Sequence, residues 1–165
     1  RKLFEDPYHF WYIGKSYYDS TLGDYPLGKD HLNEYARRSI FYFGNYLNIK
    51  HRYNELGRAD CEDELAYFAM SAMGGMYKFA GNYEAALDCA MRAEEFCPSR
   101  NDHIILQAEC YRDLEDFDSM KIQTDRLMDP DRKLPFPKYN FLLNTEHYND
   151  SGTYCLKLHE IANQA

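Results

Sequence analysis

Apolar residues along this chain recur at helical spacing, with breaks at glycine and proline, and no convincing alternating strand pattern interrupts them. The best-marked stretch runs from Tyr67 to Arg100. Met70, Met73, Gly74 and Tyr77 fall on one helix, Gly81-Asn82-Tyr83 makes a turn, and Ala86, Ala90 and Ala93 give a second helix a narrow face. Pro98 closes the unit. Asn101 to Leu134 reads as the same pair of helices, with Glu115 where the turn glycine stood. Upstream, Ile13, Gly14 and Tyr17 match the first-helix positions and Gly23-Asp24-Tyr25 the turn. Leu32, Tyr35, Ala36, Ser39, Ile40, Phe43 and Leu47 then mark an extended second helix from about Asp30 to Tyr53, followed by a linker containing Gly57. Pro135-Phe136-Pro137 cannot propagate a helix and reads as a crossing loop. Ser151 to Ala162 reads as a final helix that caps the stack or begins a truncated unit.

The spacing carries more than secondary structure. Tyr77 and Tyr111, Gly74 and Ala108, Tyr83 and Phe117, Ala86 and Met120, and Ala93 and Leu127 are pairs with the same offset, and a two-helix period of 34 residues resembles the tetratricopeptide repeat. That resemblance implies an all-α fold of antiparallel helix hairpins stacked into a right-handed α-solenoid. The expected units are approximately 7–53, 60–100 and 101–134, with a cap at 138–165, in one domain. One hairpin cannot hide its own apolar face, so neighbours must stack and leave a concave face lined by the first helix of each pair.

A second resemblance rests on Phe10-Trp11-Tyr12-Ile13-Gly14-Lys15-Ser16-Tyr17-Tyr18-Asp19, which looks like the first helix of the repeat region attached to certain glycosyltransferases. Pro98-Ser99-Arg100-Asn101-Asp102, Tyr111-Arg112-Asp113 and Pro135-x-Pro137 followed by Phe141 and Tyr148 continue the likeness. It implies an accessory module whose sugar-transfer chemistry belongs to a separate α/β domain. Arg1 in place of a methionine agrees with a fragment of a larger protein.

Composition narrows the functional classes. With 27 acidic against 19 basic residues and a net charge of −8, the chain lacks the cationic surface that a nucleic-acid backbone requires. No apolar run approaches the length of a membrane span, and no signal peptide is evident. Five cysteines without a CxxC pair read as free thiols in a reducing, cytoplasmic setting. The six histidines form neither an HExxH pair nor a zinc cluster. Asp129-Pro130-Asp131 has the form of an Asp-x-Asp metal site but no strand to hold it, so it reads as a solvated turn. No catalytic residue, metal site or cofactor is expected. Ser99 with Asp102 resembles a variant capping box.

What remains is a binding surface. Inward-facing first-helix positions are Tyr8, Trp11, Lys15 and Tyr18, then Phe68, Ser71, Gly75 and Lys78, then Asp102, Ile105, Glu109 and Arg112. Of these, Tyr8, Trp11, Lys15, Tyr18, Phe68, Lys78 and Arg112 are the candidate contacts for a ligand or partner. Aromatics among mixed charges suit a peptide, a glycan acceptor or the catalytic domain of the same polypeptide. Gly75 and Glu109 stand where a clamp for chaperone C-termini would need other side chains. The expected role is a non-catalytic docking module. A free-standing protein-interaction adaptor is the alternative, and a carbohydrate-binding module the third reading.

Overall fold

The computed structural model describes residues 6–21, 34–57, 63–132 and 151–164. Every element among them is a helix: α1 (Pro7–Thr21), α2 (Glu34–Glu55), α3 (Asp63–Phe79), α4 (Tyr83–Phe96), α5 (Asp102–Asp113), α6 (Phe117–Leu127) and α7 (Ser151–Gln164). None of the described helices is long and apolar enough to cross a membrane. The expected turn at Gly23-Asp24-Tyr25, the loop at Pro135-Phe136-Pro137, and the matches at Phe141 and Tyr148 lie outside the described residues.

The helices pack as antiparallel neighbours, α1 with α2, α3 with α4 and α5 with α6. Successive pairs meet through α2 on α3 and α4 on α5, and the first helices also touch in series, α1 on α3 and α3 on α5. Helix α7 packs on α6 and α5.

Small residues set how closely each pair approaches. A Cβ on Gly14 would come within 2.8 Å of the Phe43 ring, and the Ser39 hydroxyl donates to the Gly14 carbonyl at 2.7 Å. A Cβ on Gly74 would meet Leu106 at 2.6 Å, Cys89 Cβ at 3.2 Å and the Ala86 carbonyl at 3.3 Å. Glycine there lets α3 lie against α4 and α5 at once. Around these contacts, Trp11, Tyr18, Phe43, Phe68, Met76 and Ile104 form the centre of the core.

The turns within the second and third pairs repeat bond for bond. Gly81 N donates to Lys78 O at 2.9 Å and Asn82 N to Tyr77 O at 2.9 Å; Glu115 N donates to Arg112 O at 3.0 Å and Asp116 N to Tyr111 O at 2.9 Å. Each set lies 34 positions from the other. Asn82 Oδ1 then caps α4 by accepting from Ala85 N, and Asp116 Oδ1 caps α6 by accepting from Ser119 N. Gly81 and Glu115 both occupy positive φ, 80° and 58°. For glutamate this left-handed conformation is strained. Glu115→Gly is therefore expected to raise stability by about 0.5–1 kcal/mol, the relieved strain exceeding the entropy that glycine adds to the unfolded chain. Gly81→Ala is expected to lower it by about 1 kcal/mol. Urea denaturation of the two variants checks both signs.

Candidate partner-binding face

The first helices α1, α3 and α5 bring the sequence-derived candidates into two groups. The first is aromatic. Trp11 is 3% exposed, its indole Nε1 donates to the Leu65 carbonyl at 2.9 Å, and its ring lies 5.1 Å from Phe68 and 6.3 Å from Phe43. Tyr18 meets Phe68 edge-on at 6.1 Å. The structure thus places Trp11, Tyr18 and Phe68 within the hydrophobic core, where they tie the first pair to α3. Tyr8 is half-buried beside them. Lys15 turns away along its own helix to pair with Asp19 at 2.7 Å.

The second group is charged. Lys78 Nζ lies 2.9 Å from Glu109 Oε1, with both side chains more than nine-tenths buried. The Tyr154 hydroxyl of α7 donates to the other carboxylate oxygen. Burial and the Glu109 charge push the Tyr154 hydroxyl well above the ordinary phenol range. Arg112 is half-buried and pairs with Asp113 at 3.1 Å. Ser71, Gly75, Asp102 and Ile105 are buried as well. The Ser71 hydroxyl is the single buried side-chain polar atom among the described residues with no hydrogen-bond partner.

A third polar network was not marked by sequence reasoning. The Tyr67 hydroxyl donates to Asp102 at 3.2 Å, accepts from the His103 amide at 3.1 Å and lies 3.1 Å from His103 Nδ1. His103 Nε2 faces Glu94 at 3.1 Å, and Glu94 is held by Arg126. Arg100 stacks over the Tyr67 ring at 4.9 Å and approaches Asp102 at 3.4 Å. Asp102 therefore does not take part in a capping box. Asn101 holds the cap position of α5, while the Asp102 carboxylate serves Tyr67 and Arg100. The faint sequence signal was the Pro98–Asp102 motif itself, whose arginine and aspartate are both used here.

Burial sets the protonation of the histidine in this network. His103 has no exposed side-chain surface, and burial pulls its pKa down to about 4. Glu94 favours the proton on His103, whereas Arg126 and Arg132 oppose it. A histidine kept neutral by folding is a stability device of known sign: the unfolded chain takes the proton near pH 6.5, the folded chain only near 4. Stability is full above about 6.5 and falls as pH drops towards 4. Between pH 7 and pH 5 the loss from this residue should be about 2 kcal/mol. His103→Gln should flatten that slope in denaturation curves measured at the two pH values. Burial raises the pKa of Asp102, and Arg126 lowers that of Glu94 against the opposing effect of burial.

The described thiols are held in their protonated form by burial. Burial pushes Cys89 and Cys110 up to about 12 and Cys155 up to about 11. Cys97 is also raised, and all four are free; Cys61 lies outside the described residues. No three His, Cys, Asp or Glu side chains among the described residues are grouped to hold a metal ion. Asp129-Pro130-Asp131 forms an exposed turn in which Asp131 N donates to Asp129 Oδ1 at 3.0 Å.

One cleft of about 370 Å³ opens between α2 and α4, lined by Leu47, Asn48, His51, Asn54, Arg92 and Phe96 among others. It lies among the second helices of the first two pairs, away from the candidate positions. No family model, curated protein or solved structure matches the chain.

Proposed function

We propose that this chain is a tetratricopeptide-like docking module, its hairpins stacked into a right-handed α-solenoid, that binds a protein or peptide and carries no bond-making residues. The observation that supports this best is the 34-residue repetition of the turn between paired helices, including the left-handed residue and the capping side chain that follows it. The serial contact of first helices, α1 on α3 on α5, is what stacked repeats require. The burial of His103, Cys89, Cys110 and Cys155 fits a scaffold whose polar groups specify packing.

The sequence likeness of Phe10–Asp19 to glycosyltransferase-attached repeats supports a narrower version. In it the chain is the accessory domain of a larger cytoplasmic glycosyltransferase, positions the acceptor or mediates assembly, and has the catalytic domain as partner. The alternative is a protein-interaction adaptor with no link to glycosylation. A preceding α/β domain with an Asp-x-Asp after a buried strand separates the two.

The test of the non-catalytic reading is direct. The purified chain, incubated with nucleotide sugars and acceptor oligosaccharides, should release no nucleotide above the buffer rate. Release that scales with protein concentration would defeat the reading. Glycan-array binding tests the carbohydrate reading, and the variants to use are at exposed rings such as Tyr12 and Phe41. Trp11 serves the core and would confound the result.

A further inference from the structure

The second helices of the pairs are buried along one stripe each. Ala86, Cys89, Ala90 and Ala93 mark it on α4, and Met120, Thr124 and Leu127 on α6. Helices α3 and α5 differ. Leu65 to Ala72 of α3 are buried without a break, and so are Asp102 to Cys110 of α5. At about 100° per residue such runs pass round the whole helix, so both helices are covered on every side.

Helix packing accounts for only part of that cover. Helix α3 touches α1, α2, α4 and α5, and α5 touches α3, α4, α6 and α7. In stacked hairpins these neighbours lie beside and behind a first helix, and its inner face is left to whatever occupies the groove. Yet Ser71, Gly75 and Ile105, all at inner-facing positions, are buried. Ser71 is 0% and Ile105 4% exposed, and the Ser71 hydroxyl has no hydrogen-bond partner.

The length of the connections points to the occupant. Residues 97–101 suffice to join α4 to α5, whereas 128–150 join α6 to α7. Both ends of the longer connection are held on α5. Arg132 Nη1 donates to the Arg100 carbonyl at 3.1 Å and to Asn101 Oδ1 at 3.2 Å, at the start of α5. Tyr154 of α7 donates to Glu109, further along the same helix. The stretch between, 133–150, is long enough to reach about 60 Å, whereas α3 measures about 25 Å. It contains Leu134, Phe136, Tyr139, Phe141, Leu142 and Leu143. Pro135 and Pro137 bring no N–H that burial would leave unpaired, and their fixed φ reduces the entropy lost on docking.

We propose that residues 133–150 are the resident ligand of the inner groove of α3 and α5, held there by their aromatic and leucine side chains. On the docking reading above, on which this rests, the groove is then selective for an extended peptide rich in aromatic residues and proline. A partner segment of that chemistry binds in place of the chain's own.

Ser71→Cys puts a thiol on the inner face at little cost, since the serine hydroxyl has no partner to lose. Its reaction with an aromatic disulfide reagent is measured against the chain that keeps Ser71, whose own thiols set the background. In the otherwise native chain the added thiol should be protected. Replacing 133–150 by a glycine–serine linker of equal length should speed its reaction about 100-fold or more. A synthetic peptide of residues 133–150, at about 1 mM to match the concentration a short tether provides, should restore the protection. Circular dichroism should show the linker variant folded. If it does not, Phe136→Ser/Phe141→Ser in the full chain takes its place, with the added thiol reacting about 10-fold faster.

The proposal is overturned if the added thiol reacts freely in the native chain. It is overturned equally if the thiol stays protected once 133–150 is replaced, as it would if residues 22–33 supplied the cover. A peptide of 133–150 that leaves the thiol reactive, or a scrambled peptide that protects it as well, has the same force. None of these results touches the docking reading. A groove open in the native chain would still be free for a partner, and the nucleotide-release assay tests that reading separately.

Discussion

Replacing Lys78 with methionine should lower the folding free energy by about 3–5 kcal/mol, because it leaves the Glu109 carboxylate buried without a cation. The two side chains meet at 2.9 Å between α3 and α5 and are 7% and 5% exposed. Lys78 also lies 4.9 Å from the Phe79 ring, and Glu109 accepts from Tyr154 on α7. Helices α3, α5 and α7 are therefore joined at one carboxylate. The Tyr154 hydroxyl cannot replace the lysine, since a single neutral donor does not offset the desolvation of a full charge. Removing both charges should be far milder. Lys78→Met/Glu109→Leu exchanges a buried ion pair for apolar side chains of similar size, and such exchanges are often near neutral. A double variant well above the Lys78→Met single in urea titrations confirms that the loss is the orphaned charge. If the double falls as far as the single, packing around the lysine stem is the cause. In melting temperature the single variant should fall by roughly 10 °C or more.

This ion pair also shows where sequence reading stopped. Lys78 and Glu109 were both placed among inward-facing first-helix positions, yet as open groove residues; their mutual contact spans 31 positions, and no local pattern encodes it. The helices of the second and third pairs were legible because glycine, proline and a fixed spacing punctuate them. Even the substituted turn at Glu115 was placed, since its neighbours Asp116 and Tyr111 repeat Asn82 and Tyr77. The pattern predicts helix α2 from Asp30 to Tyr53; residues 30–33 lie outside the described residues, and the helix runs on to Glu55. Orientation was harder. Residues Leu65 to Ala72 of α3 are buried without interruption, so their apolar pattern has no polar face to say which side is groove and which is core. Phe68 was assigned to the groove from spacing alone. His103 was invisible for a related reason: its partners Tyr67, Glu94 and Arg126 come from three other helices.

The core aromatics give the second large effect. Trp11→Ala should lower stability by about 3–5 kcal/mol, the usual range for deleting a buried tryptophan. The indole fills the junction where α1, α2 and α3 meet, against Phe43 and Phe68, and no smaller side chain reaches both. Its Nε1 also satisfies the Leu65 carbonyl near the start of α3, so truncation strips an apolar contact and a hydrogen bond together. Trp11→Phe separates the two. It keeps much of the ring contact and loses the donor, for an expected cost of about 1–2 kcal/mol. Because Trp11 is the sole tryptophan, wild-type unfolding can be followed by the red shift of its emission. The alanine variant needs circular dichroism. The sharper consequence concerns position rather than amount: with α1 loosened, the damage should begin at the first pair. Hydrogen exchange should show α1 and α2 losing protection before α5 and α6. Uniform loss across the described helices would mean instead that the first pair is no weaker a link than the rest, and that the helices unfold as one cooperative block.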